Sequence, residues 1–106
     1  MARTKFYTTG SDFFQVISET AKSVVVRPVK SECLDITTVY TAFDYDVKHR
    51  AVKDDFTTVW YFNDKQNKNG KRCKRNSFDD SICINSYYTI NAYPTNGTEI
   101  YNRNLG

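Results

Sequence analysis

Six side chains between Lys65 and Arg75 could pair with phosphates or carboxylates: Lys65, Lys68, Lys71, Arg72, Lys74 and Arg75, with no acid among them. Cations at this density displace the counterions condensed on a polyanion, which gives affinity without base readout. The same charges would steer the approach of an acidic protein surface. Outside the cluster 9 Lys and Arg face all 12 Asp and Glu, so the formal +3 of the chain comes from this one segment. Tyr87 and Tyr93, with Trp60 nearby, are candidates for a base-stacking platform beside the cations. The plainer alternative is a solvated loop tip that guards a strand edge, with tyrosines present for strand propensity alone.

Other reactive residue types form no constellation. Cys73 lies among Lys71, Arg72, Lys74 and Arg75, and neighbouring cations lower a thiol pKa, so it is the cysteine expected to be reactive. Catalysis by Cys73 would need a base, and the only histidine, His49, stands between Lys48 and Arg50, remote in sequence. Asp54-Asp55 and Asp79-Asp80 are adjacent acids that would point to opposite faces of a strand, which suits turns or counter-charges better than a shared acid–base site. Cys33, Cys73 and Cys83 are widely and unequally spaced, a poor disulfide framework and no metal signature. Gly10, Gly70, Gly97 and Gly106 are isolated, so no phosphate-cradling loop is present. The expectation is a non-enzymatic protein with no cofactor and no metal.

The elements that must position these residues read as β. Val, Ile, Thr, Tyr and Phe supply 42 residues against 2 Leu and 5 Ala, so strand formers dominate. Ile82 to Tyr93 alternates: Ile82, Ile84, Tyr88, Ile90 and Ala92 share one face, and Asn85, Tyr87, Thr89, Asn91 and Tyr93 the other. This predicts one strand, or two joined by a bend, with Cys83 off the core face. Thr57 to Phe62 predicts a strand, and the polar run Asn63 to Gly70 a hairpin loop that returns Lys71 to Arg75 beside Trp60. Asp12 to Lys22 fits a helix face through Phe13, Ile17 and Ala21, or a strand. Its neighbour Ser23 to Val29 is strongly β, which favours a hairpin turning at Glu19 to Lys22. Cys33 to Tyr45 predicts a further strand, Asp46 to Asp55 a loop or weak edge strand, and Asn96-Gly97 a turn.

At 106 residues the chain reads as one mostly β domain spanning 1–106, with 95–106 a loose C-terminal tail packing through Ile100 and Tyr101. Short strands with little or no helix suggest a small, strongly bent sheet, an SH3-like barrel first and a two-sheet sandwich second, since closure hides sheet edges. No apolar stretch of signal-peptide or membrane-span length follows the basic start Met1 to Lys5, which predicts a cytoplasmic protein with no membrane contact. Exposed edges leave homo-oligomer formation open.

Phe14 to Ile17 followed by Thr20 to Val26 resembles the opening of a family of small proteins encoded by bacteriophages, prophages and other mobile elements. Further segments match in order: the basic Arg72 to Arg75 before Phe78-Asp79, then Ile82 to Tyr87, then Ala92-Tyr93-Pro94 and Gly97. Thr95 stands where that family commonly has Trp, and residues 33–70 carry no part of the resemblance. The resemblance implies an accessory phage or mobile-element protein in a host cell and assigns no catalytic residues. By association it implies binding to a host or defence-system macromolecule, as an inhibitor of a host system. Two readings of the basic loop follow: contact with an acidic host or defence protein, or nucleic-acid binding that adds Tyr87 and Tyr93.

Overall fold

The computed structural model describes the backbone of residues 4–38 and 44–104 and the side chains of residues 4–34 and 48–99. The fold is mostly β, a bent antiparallel sheet with one short helix. In chain order the elements are β1 (Phe6–Thr8), β2 (Phe13–Glu19), β3 (Ser23–Thr38), β4 (Asp44–Phe56), α1 (Asp64–Asn69), β5 (Lys71–Lys74), β6 (Ile82–Asn85), β7 (Ile90–Thr95) and β8 (Thr98–Asn104). The strand order is β6-β7-β1-β2-β3-β4-β8, and β5 branches from β3.

The branching explains the bend. The N-terminal half of β3 pairs with β2 along one edge, from Val29↔Phe13 to Val24↔Glu19, and with β5 along the other, from Val26↔Lys71 to Ser23↔Lys74. Its C-terminal half pairs with β4, which in turn pairs with β8. Strands β6-β7-β1-β2-β3-β5 therefore curl toward a barrel. The ladder does not close: between β5 and β6 it is joined by the single bridge Arg75↔Ile82. The bent sheet predicted from composition is present, while the closed ladder of an SH3-like barrel is not.

Alternation on β2 and β3 fills both faces of the sheet. Tyr7, Phe14, Val24 and Val26 point inward with Val59, Tyr61, Phe62, Cys73, Ile82, Ile84 and Ala92. Phe6, Phe13, Val29 and Ala51 form a second cluster on the outer side. Phe13 and Phe14, both essentially buried, each contribute roughly 2–3 kcal/mol by leaving water. The sequence Asp12 to Lys22 is thus settled as a strand, and Thr20 to Lys22 is its turn, closed by Thr20 N–H donating to Ser23 O at 2.8 Å.

Several expectations are corrected. Thr57 to Phe62 is not a strand; after Phe56 the chain turns at Trp60-Tyr61 so that Val59, Tyr61 and Phe62 all enter the core, which no two-residue alternation allows. The expected loop at Asn63 to Gly70 is α1, begun by a capping box: Asn63 Oδ1 accepts from Gln66 N at 2.8 Å and Gln66 Oε1 accepts from Asn63 N at 3.0 Å. Gly70 ends it at φ 97°, where a Cβ would lie 2.8 Å from Val25 Cγ1. The helix carries the chain across the sheet, so β5 returns beside β3 and not beside Trp60. Asp44–Phe56 is a long strand, interior over Asp44 to Arg50, where β3 and β8 both pair with it; beyond Arg50 it pairs with β3 alone, through Ala51 and Phe56, as the expected weak edge strand would. Cys33–Thr38 continues β3 and is no separate strand; residues 39–43 lie outside the described residues. The expected tail forms β8 on β4 from Thr98 onward, after a corner at Asn96-Gly97, while the side chains of Ile100 and Tyr101 lie outside those described.

Candidate interaction surfaces

Pairing with β3 sorts the basic cluster by face. On β5, Lys71 and Cys73 point inward with Val26 and Val24, while Arg72 and Lys74 point outward. Lys71 Nζ donates to Ile84 O and stands 5.6 Å from the Phe62 ring centroid, so its charge is spent inside the fold. Arg75 Nη2 pairs with Glu19 Oε2 at 2.9 Å, and Glu19 Oε1 takes Lys5 Nζ at 2.8 Å. Hydrogen bonding to Lys5 first, then to Arg75, holds the Glu19 carboxyl below its ordinary value. Arg72 Nη1 donates to Ser23 Oγ at 2.9 Å at the surface. Lys65, Lys68 and Lys74 are exposed and form no ion pair among the described residues. Four of the six predicted cations therefore face outward, two on α1 and two on β5.

Cys73 is corrected. Its side chain is 2% exposed, and burial pushes its thiol up to about 11 against the opposing pull of Lys71. Sequence proximity to cations overstated its reactivity because the strand turns it away from water. Cys33 and Cys83 are exposed. Asp54, in the irregular last stretch of β4, and Asp80, in the loop before β6, adopt positive φ, 63° and 59°, a conformation Asp tolerates better than most residues. Asp54 Oδ1 accepts from Gln15 Nε2 at 2.9 Å, and among the described residues neither acid pair forms an ion pair with the basic cluster. Among the described residues no three His, Cys, Asp or Glu side chains gather as a metal site requires.

The aromatic residues assemble differently from the expected pairing of Tyr87 with Tyr93. β6 and β7 are separate strands joined by Ser86 to Thr89, so alternation stops at the bend. Tyr87 and Tyr88 both sit in that turn and pack edge to face, centroids 4.8 Å apart. Tyr88, expected on the core face, meets Trp60 edge-on at 4.8 Å, and Trp60 meets the buried Tyr61 at 5.2 Å. Trp60 is 73% and Tyr87 84% exposed. The result is an aromatic ledge, Trp60–Tyr88–Tyr87, whose foundation is Tyr61 with its hydroxyl donated to Asp12 Oδ2 at 2.6 Å. Tyr93 is half exposed on β7 opposite Thr8 and no ring contact joins it to the ledge.

Main-chain geometry fixes the ledge at both ends. Asn67 of α1, buried, accepts from Val59 N at 3.0 Å through Oδ1 and donates to Val59 O and Phe62 O at 3.3 Å through Nδ2. It stands in for the strand partner that Val59 to Phe62 lacks. Asn85 Nδ2 donates to Tyr61 O at 3.0 Å, binding the end of β6 to the same turn. Thr89 closes the tyrosine turn at φ 56°, a conformation costly for a β-branched residue. The capping pattern of Asn63 and Gln66 signals the helix in the sequence; nothing local signals that Trp60 faces out or that Tyr88 joins it.

A second aromatic stands apart. Phe78, at the tip of the loop between β5 and β6, is 97% exposed. A groove of about 800 Å³ crosses the open seam, with Phe78 itself, Lys22, Lys74, Cys83 and Asn91 in its walls.

Among the described residues no helix is long and apolar enough to cross a membrane. No family model matches the chain, and neither the curated proteins nor the solved structures provide a significant match.

Proposed function

We propose that this chain is a non-enzymatic binding module, an accessory protein of a phage or mobile element that occupies an acidic surface of a host or defence protein in the host cytoplasm. The origin and the host setting rest on the sequence resemblance alone. The observation that supports binding is the ledge: three rings locked edge to face, left in water, on a turn that runs directly into the cationic helix α1. Trp, Tyr and Arg are the residues that dominate protein interfaces, and rigid ones forfeit little entropy when a partner arrives. Trp60 and Tyr87 would fill apolar recesses, while Lys65, Lys68 and Arg72 steer approach and pair with carboxylates.

A nucleic-acid reading uses the same cations, and the geometry favours it less. Successive bases stack on open, roughly parallel ring faces along a basic groove, whereas these rings stand 77° and 80° to their neighbours. Two of the six cations are also committed within the chain, Lys71 to Ile84 O and Arg75 to Glu19. The test is capture from nuclease-treated host lysate by wild type and by a variant with Lys65→Ser, Lys68→Ser and Arg72→Ser, beside Trp60→Ala. A stoichiometric protein retained by wild type and lost from both variants is the expected result. Loss of all captured protein on nuclease treatment, with duplex DNA bound in a strongly salt-dependent manner, would replace this reading with the nucleic-acid one.

A further inference from the structure

The loop between β5 and β6 presents an apolar side chain to water on a rigid frame. Phe78 N–H donates to Asn76 Oδ1 at 2.8 Å and Ser81 N–H to Asp79 Oδ1 at 3.0 Å. Asn76 N–H reaches Ser81 O at 2.7 Å and Asp80 N–H reaches Asn76 O at 2.9 Å. The loop is thus ordered before anything binds it, and the tip it orders is the most exposed large apolar side chain described. Carboxylates follow it at Asp79 and Asp80. Hydrogen bonds from Ser81, side chain first, hold the Asp79 carboxyl below its ordinary value, which keeps it charged.

The adjoining groove has the complementary character. Its volume is about 800 Å³, and it passes over the outer side of the β5–β6 seam between Lys22 of the β2–β3 turn, Lys74 and Arg75. Lys22 and Lys74 form no ion pair among the described residues, and Asp80 is the one acid in the lining. Phe78 itself, Ala21, the Cys83 side chain and the lysine stems give the walls apolar surface. A ligand for this groove carries an aromatic ring with carboxylates beside it, and the chain itself displays such a segment at the groove's rim.

We infer that the groove receives a second copy of this chain, in a two-fold contact that seats Phe78 of each copy in the groove of the other and sets Asp79 against Lys22 and Lys74. Because Phe78 is a wall of its own groove, a two-fold that seats one Phe78 brings the other to the opposite groove, with the two rings meeting near the axis. The contact is isologous, closes at two copies and gains every interaction twice. It buries Phe78, caps the seam where the ladder is open, and draws on no residue of α1 or the ledge, so it does not rest on the proposed function.

The test is sedimentation velocity of the purified full chain over a concentration series, with circular dichroism to verify folding. Wild type should form a reversible dimer. Phe78→Ser should weaken it about tenfold or more, the effect of removing a central interface anchor. Lys22→Glu with Lys74→Glu should weaken it comparably, and Lys65→Glu with Lys68→Glu, cations on α1, should leave it unchanged. A wild type that stays monomeric up to its solubility limit overturns the inference and leaves the groove to a foreign aromatic-acidic segment. A dimer indifferent to Phe78→Ser, or one equally weakened by the α1 pair, overturns it too.

Discussion

The ledge and the Phe78 loop both hold apolar rings in water, and they do so by opposite means. Trp60, Tyr88 and Tyr87 brace one another ring against ring, over Tyr61 and the buried amide of Asn67. Among the described residues Phe78 has no ring neighbour; its position comes from the main-chain and Asx hydrogen bonds of Asn76 to Ser81. The first device ties exposure to the core, so damage beneath the ledge reaches its surface. The second confines order to a few residues, so the loop can change its tip without disturbing the fold. Packing and local hydrogen bonding thus give two independent routes to a pre-ordered contact.

The comparison breaks most readily at Asn67. Changing Asn67→Ala strips Val59 N–H and the carbonyls of Val59 and Phe62 of their side-chain partner, and leaving such groups unsatisfied costs about 1–3 kcal/mol. Urea unfolding should show that loss, and the near-ultraviolet dichroism of Trp60 should weaken with it. Self-association through Phe78 should persist under native conditions; if it fell together with the ledge signal, the two regions would not be independent.

A smaller effect of opposite sign is expected at Thr89. A left-handed conformation costs an L-residue about 1–2 kcal/mol and glycine forfeits about 0.5–1 kcal/mol of chain entropy on folding. Thr89→Gly should therefore stabilise the domain by about 0.5 to 1 kcal/mol, read as a higher urea midpoint at unchanged slope. A lower midpoint would mean that the stiffness of threonine contributes more to holding Tyr87 and Tyr88 than its strain costs.

What the sequence disclosed follows the reach of local rules. Alternation in Ile82 to Ala92 identified the buried face of β6 and β7, and the β-rich run Ser23 to Val29 correctly drew Phe13 to Glu19 into a hairpin. Both signals arise within a few residues. The segment Thr57 to Phe62 defeated the same rule because its apolar residues are buried by a turn and by Asn67 eight residues away, not by a strand partner. β4 was misjudged over Asp46 to Arg50 for a related reason: its charges report side-chain exposure, whereas the interior position of that stretch is set by backbone pairing with β8, half a chain distant. The basic cluster was legible as a cluster, but its division into members partnered within the chain and members facing outward needed the β3–β5 register. Tyr88 and Trp60 meet only after α1 has redirected the chain, and Phe78 was legible as a motif with no indication of its exposure.

The smallest expected effect separates the two regions by pH. Glu19 sits at the foot of the Phe78 loop, bound to Lys5 and to Arg75, and its carboxyl is lowered from the ordinary 4.5 by those hydrogen bonds. A depressed carboxyl contributes stability that is full above its unfolded value and is lost as pH falls through the folded one. Asp79, lowered by Ser81 within the loop itself, has the same sign. Acidification from pH 7 to below 4.5 should therefore loosen the loop, seen as faster amide exchange at Phe78 and Ser81 once corrected for the intrinsic pH dependence of exchange. Through the same window the Trp60 signal should move less than the loop amides: among the described residues no carboxylate bonds to Trp60, Tyr87 or Tyr88, and Asp12 reaches the ledge only through the Tyr61 hydroxyl beneath it. Glu19→Gln should reduce the acid response of the loop while leaving the Asp79 part. A Trp60 signal that moved with the loop amides would show that the seam and the ledge open as one unit, and the independence of the two contact surfaces would have to be given up.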